Sequence, residues 1–285
     1  MTVRTRRRSR RHAGIRAAAW FSRPSGRLSV VGTLTLGVVV TVTPANGAAS
    51  DIATHVAKAF RGTVSNSQNA QTISGTPAVG ALFTSSNGKL GSHFCTASVV
   101  DSPHGDLAVT AAHCVTGISG TIVFVPGYRS GAYPYGQWTV SKVYVDQAWN
   151  ASSSQDDDVA FLRLAQVGST LPIEDVTGAE TLATRTPAKQ QVEVIGYPDT
   201  ADQPIACRNW TSQPMSNQLE FDCGGYTDGT SGGPFLADVN VASGQGVVIG
   251  VIGGYEQGGF TPAVSYSAAF GTNVSSLYDT AVAGG

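Results

Sequence analysis

The sequence has few of the patterns that predict a helical protein or a repeat protein. Runs of residues with helical periodicity are scarce, and no unit of about 20–50 residues repeats, which excludes solenoids and propellers. No two of the four cysteines lie within four residues of each other, so a structural zinc site is not predicted. No other metal is implied, and no cofactor.

Acidic residues are absent from the first 49 residues, which carry nine arginines. The arginines are followed by the apolar run LSVVGTLTLGVVVTV at 28–42 and by the small residues PANGAAS. This order predicts a secretory signal over residues 1–49, cleaved between Gly47 and Ala49, with general and twin-arginine export both open. The alternative is an uncleaved anchor, which we disfavour because the run has 15 residues and a membrane span needs roughly 20.

Removal of the signal changes the balance of charge. The chain has 18 Lys+Arg and 19 Asp+Glu, and the loss of nine arginines leaves a net charge of −10. Such a chain is a poor candidate for binding nucleic acid or anionic membranes. We expect a secreted, extracellular monomer with no stable membrane association. Residues 50–74 are polar and predict a pro-segment or a flexible N-terminal arm.

From Pro77 onward, short apolar runs alternate with clusters of Gly, Ser, Asn and Asp. Their length and their Val, Ile, Thr and aromatic content predict strands joined by turns, and therefore an all-β barrel or sandwich. The helix that the pattern favours most lies at the C-terminus, in NVSSLYDTAVA, with Asn273 as its N-cap.

Two polar residues adjoin these runs in positions suited to chemistry. His113 ends the apolar run LAVTAAHCV, and Asp158 directly precedes another in DDDVAFLRL. A histidine base needs a fixed position, and a carboxylate must fix its tautomer. We select Asp158 because it adjoins the strand, and we expect Asp156 and Asp157 to remain in the solvated loop. A purely structural histidine is the alternative for His113.

Ser231 lies in the glycine-rich stretch GTSGGP, which alone is no more than a turn. Gly229 and Gly232 permit backbone conformations denied to other residues, so the N–H groups of Gly229 and Ser231 are able to point at one oxyanion. No histidine follows Ser231, which excludes the chain order of the α/β-hydrolases. The order is instead His113, Asp158, Ser231.

TAAHC, DDDVAFLRL and GTSGGP, in this order, resemble the motifs of the trypsin/chymotrypsin family of secreted serine peptidases, in its bacterial branch. The resemblance covers roughly residues 77–275. It implies an all-β fold of two six-stranded antiparallel β-barrels with a short C-terminal helix, in a domain that we place at 75–285. It implies that His113 is the base, Asp158 the orienting acid and Ser231 the nucleophile. The N–H groups of Gly229 and Ser231 are the implied oxyanion donors.

An even number of cysteines in an exported chain predicts two disulfides. Cys95 and Cys114 lie in consecutive runs joined by the turn-forming DSPHGD, and a bridge between them matches the family's bridge beside the histidine. Cys207–Cys223 follows by elimination.

The residue before the serine departs from the family pattern. The animal enzymes carry an acidic residue there that pairs with the freed N-terminus, whereas this chain has Thr230. We therefore expect no activation switch of that kind, as in bacterial secreted members.

The expected specificity pocket also differs from that of trypsin. The pocket-base position, six residues before the serine, is Gly225, where an enzyme of trypsin specificity has Asp. Asp228 falls at the rim, where pairing with a basic side chain is worth only about 0–1 kcal/mol. We expect a preference for uncharged residues before the cut. The predicted substrate-binding residues are Gly225, Tyr226, Asp228, Gly253, Gly254 and Tyr255.

Together these features predict a serine endopeptidase that acts on proteins or peptides through an acyl-enzyme intermediate. The alternatives are a non-catalytic binding protein or an esterase on the same fold. The presence of all three triad residues favours the peptidase, since a purely binding domain does not need them.

Overall fold

The computed structural model describes residues 68–166 and 169–284. The signal predicted over residues 1–49 and most of the arm predicted over residues 50–74 lie outside the described residues, so these boundaries stay predictions. Within the described part, no helix is long and apolar enough to span a bilayer.

Short strands dominate the described residues, in agreement with the alternation of apolar runs and turns. In chain order they are β1 (Gln71–Thr72), β2 (Val79–Ser86), β3 (Lys89–Val100), β4 (Leu107–Thr110), β5 (Thr121–Pro126), β6 (Trp138–Val145), β7 (Ala160–Ala165), β8 (Thr181–Leu182), β9 (Gln191–Gly196), β10 (Ile205–Met215), β11 (Gln218–Asp222), β12 (Pro234–Ala237), β13 (Val247–Val251) and β14 (Val264–Ala268).

Strands β2 to β7 form a closed antiparallel barrel in the order β2-β3-β4-β7-β6-β5. Its interior is filled by large apolar side chains, and Phe124, Trp138 and Phe161 are fully buried there. Burying one such side chain stabilises the fold by about 1.5–3 kcal/mol. The barrel is therefore a rigid support for the segments that leave its strands.

The other strands form a second sheet in the order β14-β11-β10-β9-β12-β13-β8, with β1 paired to β10. Its ladder of strand pairs does not close between β13 and β14. A side chain joins these two strands instead, because Val251 N donates to Ser267 Oγ at 2.9 Å. Just beyond β13, a backbone hydrogen bond from Gly253 N to Tyr266 O adds to this contact, at 2.9 Å. Gly250 permits this approach, since a Cβ there would lie 2.5 Å from Ser267 Oγ.

The helices are α1 (Gln147–Ser152), α2 (Glu174–Thr177) and α3 (Thr272–Ala283), with 3₁₀ helices at Ala112–Cys114, Gln155–Asp157 and Tyr255–Gly258. The N-cap predicted at Asn273 is wrong, because α3 begins at Thr272 and Gly271 occupies the cap position. The Asn273 side chain is engaged elsewhere, since its Nδ2 donates to Asp156 O at 3.0 Å. The predicted all-β fold and its short C-terminal helix are confirmed, and one of the two predicted six-stranded antiparallel barrels is present as a closed barrel. The second sheet has eight strands where six were predicted, because the short strands β1 and β8 add to it.

The last residues of the predicted arm pair with the second sheet. Ala70 N donates to Gly224 O at 2.8 Å, and Gly224 N donates to Gln68 O at 2.7 Å. Strand β1 then continues this contact along β10. Residues 68–72 therefore cover the chain just before Gly225.

Candidate active site

His113 lies in the 3₁₀ helix that directly follows β4. Every residue of β4 is buried, so the strand holds the start of this helix firmly. The predicted disulfide Cys95–Cys114 is present and ties the neighbour of His113 to β3. Only 13% of the His113 side chain is exposed. The imidazole consequently has a fixed place at the barrel edge.

Asp158 is fully buried and faces the imidazole. Its Oδ2 accepts from His113 Nδ1 at 2.8 Å, and its Oδ1 accepts from His113 N at 2.9 Å. Gly254 N also donates to Oδ2, at 2.9 Å. An ionised carboxylate only accepts, so the imidazole proton is assigned to Nδ1 and the lone pair of Nε2 is left for another group. The three donors offset the cost of burying the charge.

Gly253 and Gly254 lie against the Asp158 carboxylate. A Cβ on Gly253 would stand 3.0 Å from Asp158 Oδ2. Tyr255 N donates to Gln218 Oε1 at 2.9 Å. None of these three residues is among those that line the two cavities beside Ser231, and their assignment to the substrate pocket stays a prediction.

Asp156 and Asp157 are not free in a solvated loop, so that prediction is wrong. Both are half-buried. Asn217 Nδ2 and Gln218 Nε2 each donate to the carboxylate of Asp156 at 2.8 Å, and Asn273 Nδ2 donates to Asp157 Oδ1 at 2.8 Å. These partners are distant in the chain, and they fix the segment from which Asp158 projects.

Ser231 lies in the turn Thr227–Gly233, between β11 and β12. Gly229 has φ of 88° and Gly232 has φ of 80°, both in the region that favours glycine. Neighbouring chain leaves no room for side chains at either position. A Cβ would lie 2.4 Å from Asp199 N at Gly229, and 2.1 Å from Thr110 Oγ1 at Gly232. The glycines predicted to shape this turn are thus required by both conformation and space.

Three N–H groups of this turn, those of Asp228, Gly229 and Ser231, have no acceptor within residues 68–166 and 169–284. Asp228 is exposed to solvent, whereas Gly229 is buried and Ser231 is half-buried. The N–H groups of Thr230, Gly232 and Gly233 are satisfied by Thr227 O, Ile252 O and Thr230 O respectively. Buried or half-buried backbone N–H groups are almost always paired. The unpaired groups at Gly229 and Ser231 are therefore available to an acceptor on a ligand.

His113, Gly229 and Ser231 line one cavity of about 390 Å³. Phe94 and Ile118 form its apolar side, next to the Cys95–Cys114 bridge. A hydroxyl, an imidazole held by a buried carboxylate, and two free N–H groups thus share a single space. This combination is able to activate a hydroxyl toward a carbonyl and to bind the oxyanion that results.

A second cavity of about 270 Å³ also reaches Ser231. Of the six residues predicted to bind substrate, Tyr226 and Asp228 line it, and Gly225 does not. A Cβ on Gly225 would instead contact Ala70 and Ile205. Tyr226 is held in place because its hydroxyl donates to Val194 O at 2.7 Å, and burial raises the pKa of this hydroxyl.

The rest of this cavity is formed by residues that the sequence interpretation missed. The segment Gln257–Pro262 and the buried Ser265 line it. Phe260 is 74% exposed at its edge and packs edge-on against Tyr255, with ring centroids 5.9 Å apart. The glycine pair in QGGF indicates a turn, but no local pattern indicates that the turn folds back toward Ser231.

The second predicted disulfide, Cys207–Cys223, is also present and joins β10 to the residue after β11. The ligand atoms of Cys95, His113 and Cys114 lie within 4.8 Å of one another. A metal ligand would need a thiolate, and the sulfurs of this group form a disulfide. The group is therefore no metal site in the oxidised protein.

Comparisons with known proteins identify the family of the chain. The family model described as Trypsin matches residues 64–270. No curated protein matches the chain.

Among solved structures, the chain is similar to the protease Anisep from Arthrobacter nicotinovorans, with 25% identity and a TM-score of 0.64 over 75% of this chain and 99% of that one. It is also similar to the thermostable serine protease AL20 from an extremophilic microorganism, with 26% identity and a TM-score of 0.63 over 74% and 99% of the two chains. A Glu endopeptidase shares the fold at 14% identity, with a TM-score of 0.60 over 78% and 100%.

Proposed function

The chain belongs to the trypsin family and is a serine endopeptidase, and we propose that Ser231, His113 and Asp158 form its catalytic triad. The observation that carries this proposal is the pair of hydrogen bonds from His113 to the buried Asp158, in a cavity shared with Ser231. A carboxylate in this position orients the imidazole and stabilises its charged form.

In the proposed mechanism, Ser231 Oγ attacks the carbonyl carbon of the scissile peptide bond while His113 Nε2 takes the hydroxyl proton. The oxyanion accepts hydrogen bonds from the N–H groups of Gly229 and Ser231. Collapse of the tetrahedral intermediate breaks the C–N bond, and His113 gives its proton to the leaving amine. Water then attacks the acyl-enzyme with His113 as base, which releases the acid product and restores Ser231.

We further propose that the mature enzyme is secreted and acts outside the cell as a monomer. The basic and apolar leader in the sequence supports export. The two disulfides are consistent with an oxidising compartment.

For the residue before the cut, we propose a preference for uncharged side chains. Asp228 is the single charged residue among those that line the 270 Å³ cavity in the described chain, and it is exposed. An exposed carboxylate is worth about 0–1 kcal/mol to a basic side chain. The buried Ser265 supplies a hydroxyl and no charge.

Matched peptide substrates that differ only at this residue test the preference. We expect kcat/KM for Leu or Phe to equal or exceed that for Arg and Glu, and Asp228→Asn should change the Arg-to-Leu ratio several-fold at most. An Arg preference of a hundredfold or more would show that another carboxylate reaches the pocket, and would refute this part of the proposal.

A fluorophosphonate probe tests the nucleophile directly. We expect one adduct by intact-mass analysis, located at Ser231 by peptide mapping and absent from Ser231→Ala. Hydrolysis of a peptide library should disappear in the same variant. A wild-type protein that hydrolyses peptides while Ser231→Ala remains active would contradict the assignment, and a folded wild type that never labels would favour a binding protein.

A further inference from the structure

Thr96 reaches across from the first barrel to the turn that carries Ser231. It follows Cys95 in β3 and is fully buried. Its backbone N donates to Ser231 O at 2.7 Å. Its hydroxyl lies 3.0 Å from Gly229 O and 2.9 Å from Tyr197 N. One residue thus holds the turn at two points.

The direction of these hydrogen bonds is determined by the groups themselves. A hydroxyl has one proton and two acceptor sites. Gly229 O only accepts, and Tyr197 N only donates. The Thr96 hydroxyl proton therefore belongs to Gly229 O, while an oxygen lone pair receives the Tyr197 N–H. No other side chain in the described residues makes a hydrogen bond to Gly229 O.

This contact lies between the two free N–H groups. The N–H of Gly229 belongs to the peptide after Asp228, and the N–H of Ser231 belongs to the peptide after Thr230. The peptide between them carries Gly229 O, which Thr96 holds. Each peptide unit is planar, so the bond to Gly229 O also sets the direction of the Thr230 N–H, which donates to Thr227 O. This peptide links the two peptides that carry the free N–H groups.

The two outer peptides are held by backbone groups alone. Asp199 N donates to Asp228 O at 2.8 Å, and Gly233 N donates to Thr230 O at 3.0 Å. The middle peptide is held at its carbonyl by the Thr96 hydroxyl and at its N–H by Thr227 O, to which Thr230 N donates at 3.1 Å. A rotation of this peptide would change the torsions on both sides of it and would strain the bonds that direct the two free N–H groups. The Thr96 hydroxyl is the side chain that opposes this rotation.

Within the described part of the chain, no ion pair helps the Thr96 hydroxyl to hold the turn that carries Ser231. The three ion pairs found there are His113–Asp158, Arg163–Asp106 and Arg208–Glu193, and none includes a residue of the turn. The Thr230 hydroxyl is engaged locally, because it donates to Thr227 O at 2.7 Å.

We propose that Thr96 is a positioning residue whose hydroxyl keeps the N–H groups of Gly229 and Ser231 directed at the oxyanion. The inference rests on the proposed function of Ser231 as nucleophile. Removing one oxyanion donor costs about 10²–10³ in kcat, so loosening both should cost about 10- to 100-fold. KM should change little, since the oxyanion exists in the transition state and not in the bound substrate.

The test is Thr96→Val, which removes the hydroxyl and keeps the shape. Thr211→Val is a matched control, because Thr211 is also buried and its Oγ1 donates to Ala188 O at 2.8 Å and accepts from Gln190 N at 3.1 Å, away from the turn. Both variants should lose similar unfolding free energy. We expect the loss in kcat for Thr96→Val alone.

Two further measurements separate positioning from general destabilisation. Thr96→Ser and Thr96→Ala both lose the methyl group, and only Thr96→Ala loses the hydroxyl, so the serine variant should regain most of the activity even if Thr96→Val does not fold. A peptide aldehyde, whose hemiacetal oxygen occupies the oxyanion position, should bind Thr96→Ala about 10- to 100-fold more weakly. A matched peptide amide should bind it as it binds the wild type.

Equal kcat for Thr96→Ser and Thr96→Ala, or unchanged aldehyde affinity in Thr96→Ala, would overturn the inference while leaving the triad in place. A wild-type enzyme that neither hydrolyses peptides nor labels with fluorophosphonate would instead overturn the proposed function, and this inference with it.

Discussion

Glu180 is a carboxyl buried between the first barrel and the second sheet, and it makes stability depend on pH. Its side chain has no exposed surface. Its backbone N donates to Val99 O at 2.9 Å, and its Oε2 accepts from Gly246 N at 2.5 Å. Its Oε1 has no hydrogen-bond partner in the described residues. Burial raises the pKa of this carboxyl from its ordinary 4.5 to about 8, although the bond from Gly246 N opposes the rise.

The sign of the effect follows from the two protonation states. Below pH 4.5 the carboxyl is neutral in both the folded and the unfolded chain, and the folded state has its full stability from this site. As the pH rises from 4.5 to about 8, the unfolded chain releases the proton and the folded chain keeps it. Each pH unit in this window then costs about 1.4 kcal/mol of unfolding free energy.

Glu180→Gln removes the titration and keeps an acceptor for Gly246 N. The buried amide costs about 1–3 kcal/mol if its NH₂ finds no acceptor, and this cost is independent of pH. The unfolding free energy of the variant relative to the wild type should therefore rise by on the order of 3–4 kcal/mol between pH 5 and pH 8.

Urea unfolding at pH 5, 6, 7 and 8 measures this difference. Glu193→Gln is the control, because its carboxylate pairs with Arg208 at the surface, and it should shift the unfolding free energy by no more than about 1 kcal/mol at every pH. If the difference between Glu180→Gln and the wild type is the same at pH 5 and pH 8, the carboxyl does not hold its proton in the folded state, and the reasoning from burial is refuted.

Three other predictions follow from the site. Asp158→Asn should lower kcat by about 10⁴ because the imidazole adopts the wrong tautomer, whereas Asp157→Asn should remain active. An Asp157→Asn variant without activity in steady-state assays would contradict the choice of Asp158 as the acid. Replacing Cys207 and Cys223 by Ser should lower the unfolding free energy by about 2–5 kcal/mol in denaturant titrations, and an unchanged value would show that the bridge is dispensable. Chains that begin at Ala49 and at Gln68 should hydrolyse peptides equally, with or without acetylation of the first amine, since Thr230 offers no carboxylate to it; activity that depends on a free amine would reverse this conclusion.

The parts of the site that the sequence predicted are those whose determinants are local in the chain. A cysteine next to His113, an acid adjoining an apolar run and a serine among glycines each occupy a few consecutive residues. The conformation of such segments follows from their own composition, as the positive φ at Gly229 illustrates. Their chain order then selected the fold family.

Other features depend on partners that are distant in the chain, and no local pattern indicates them. Asp156 was expected in solvent because three consecutive acids are typical of an exposed turn. Its carboxylate is instead met by Gln218 from β11, 62 residues away. A buried amide that donates to Asp156 and accepts from Tyr255 N connects the acid segment to the loop beside the pocket.

The specificity pocket is the clearest example of a feature that no local sequence pattern indicates. Positions were assigned by counting from Ser231 and from an apolar strand, which presumes that the loop after β13 follows the family spacing. Here Gly254 N donates to Asp158, and Glu256 and Gln257 both adopt left-handed backbone with φ of 49° and 55°. Non-glycine residues adopt that conformation only where surrounding structure compensates for its cost. Residues 257–262 also line the cavity beside Ser231, and the assignment of Gly253 and Gly254 to its wall stays a prediction. A preference for uncharged substrates consequently depends on a wall that only the folded chain could identify.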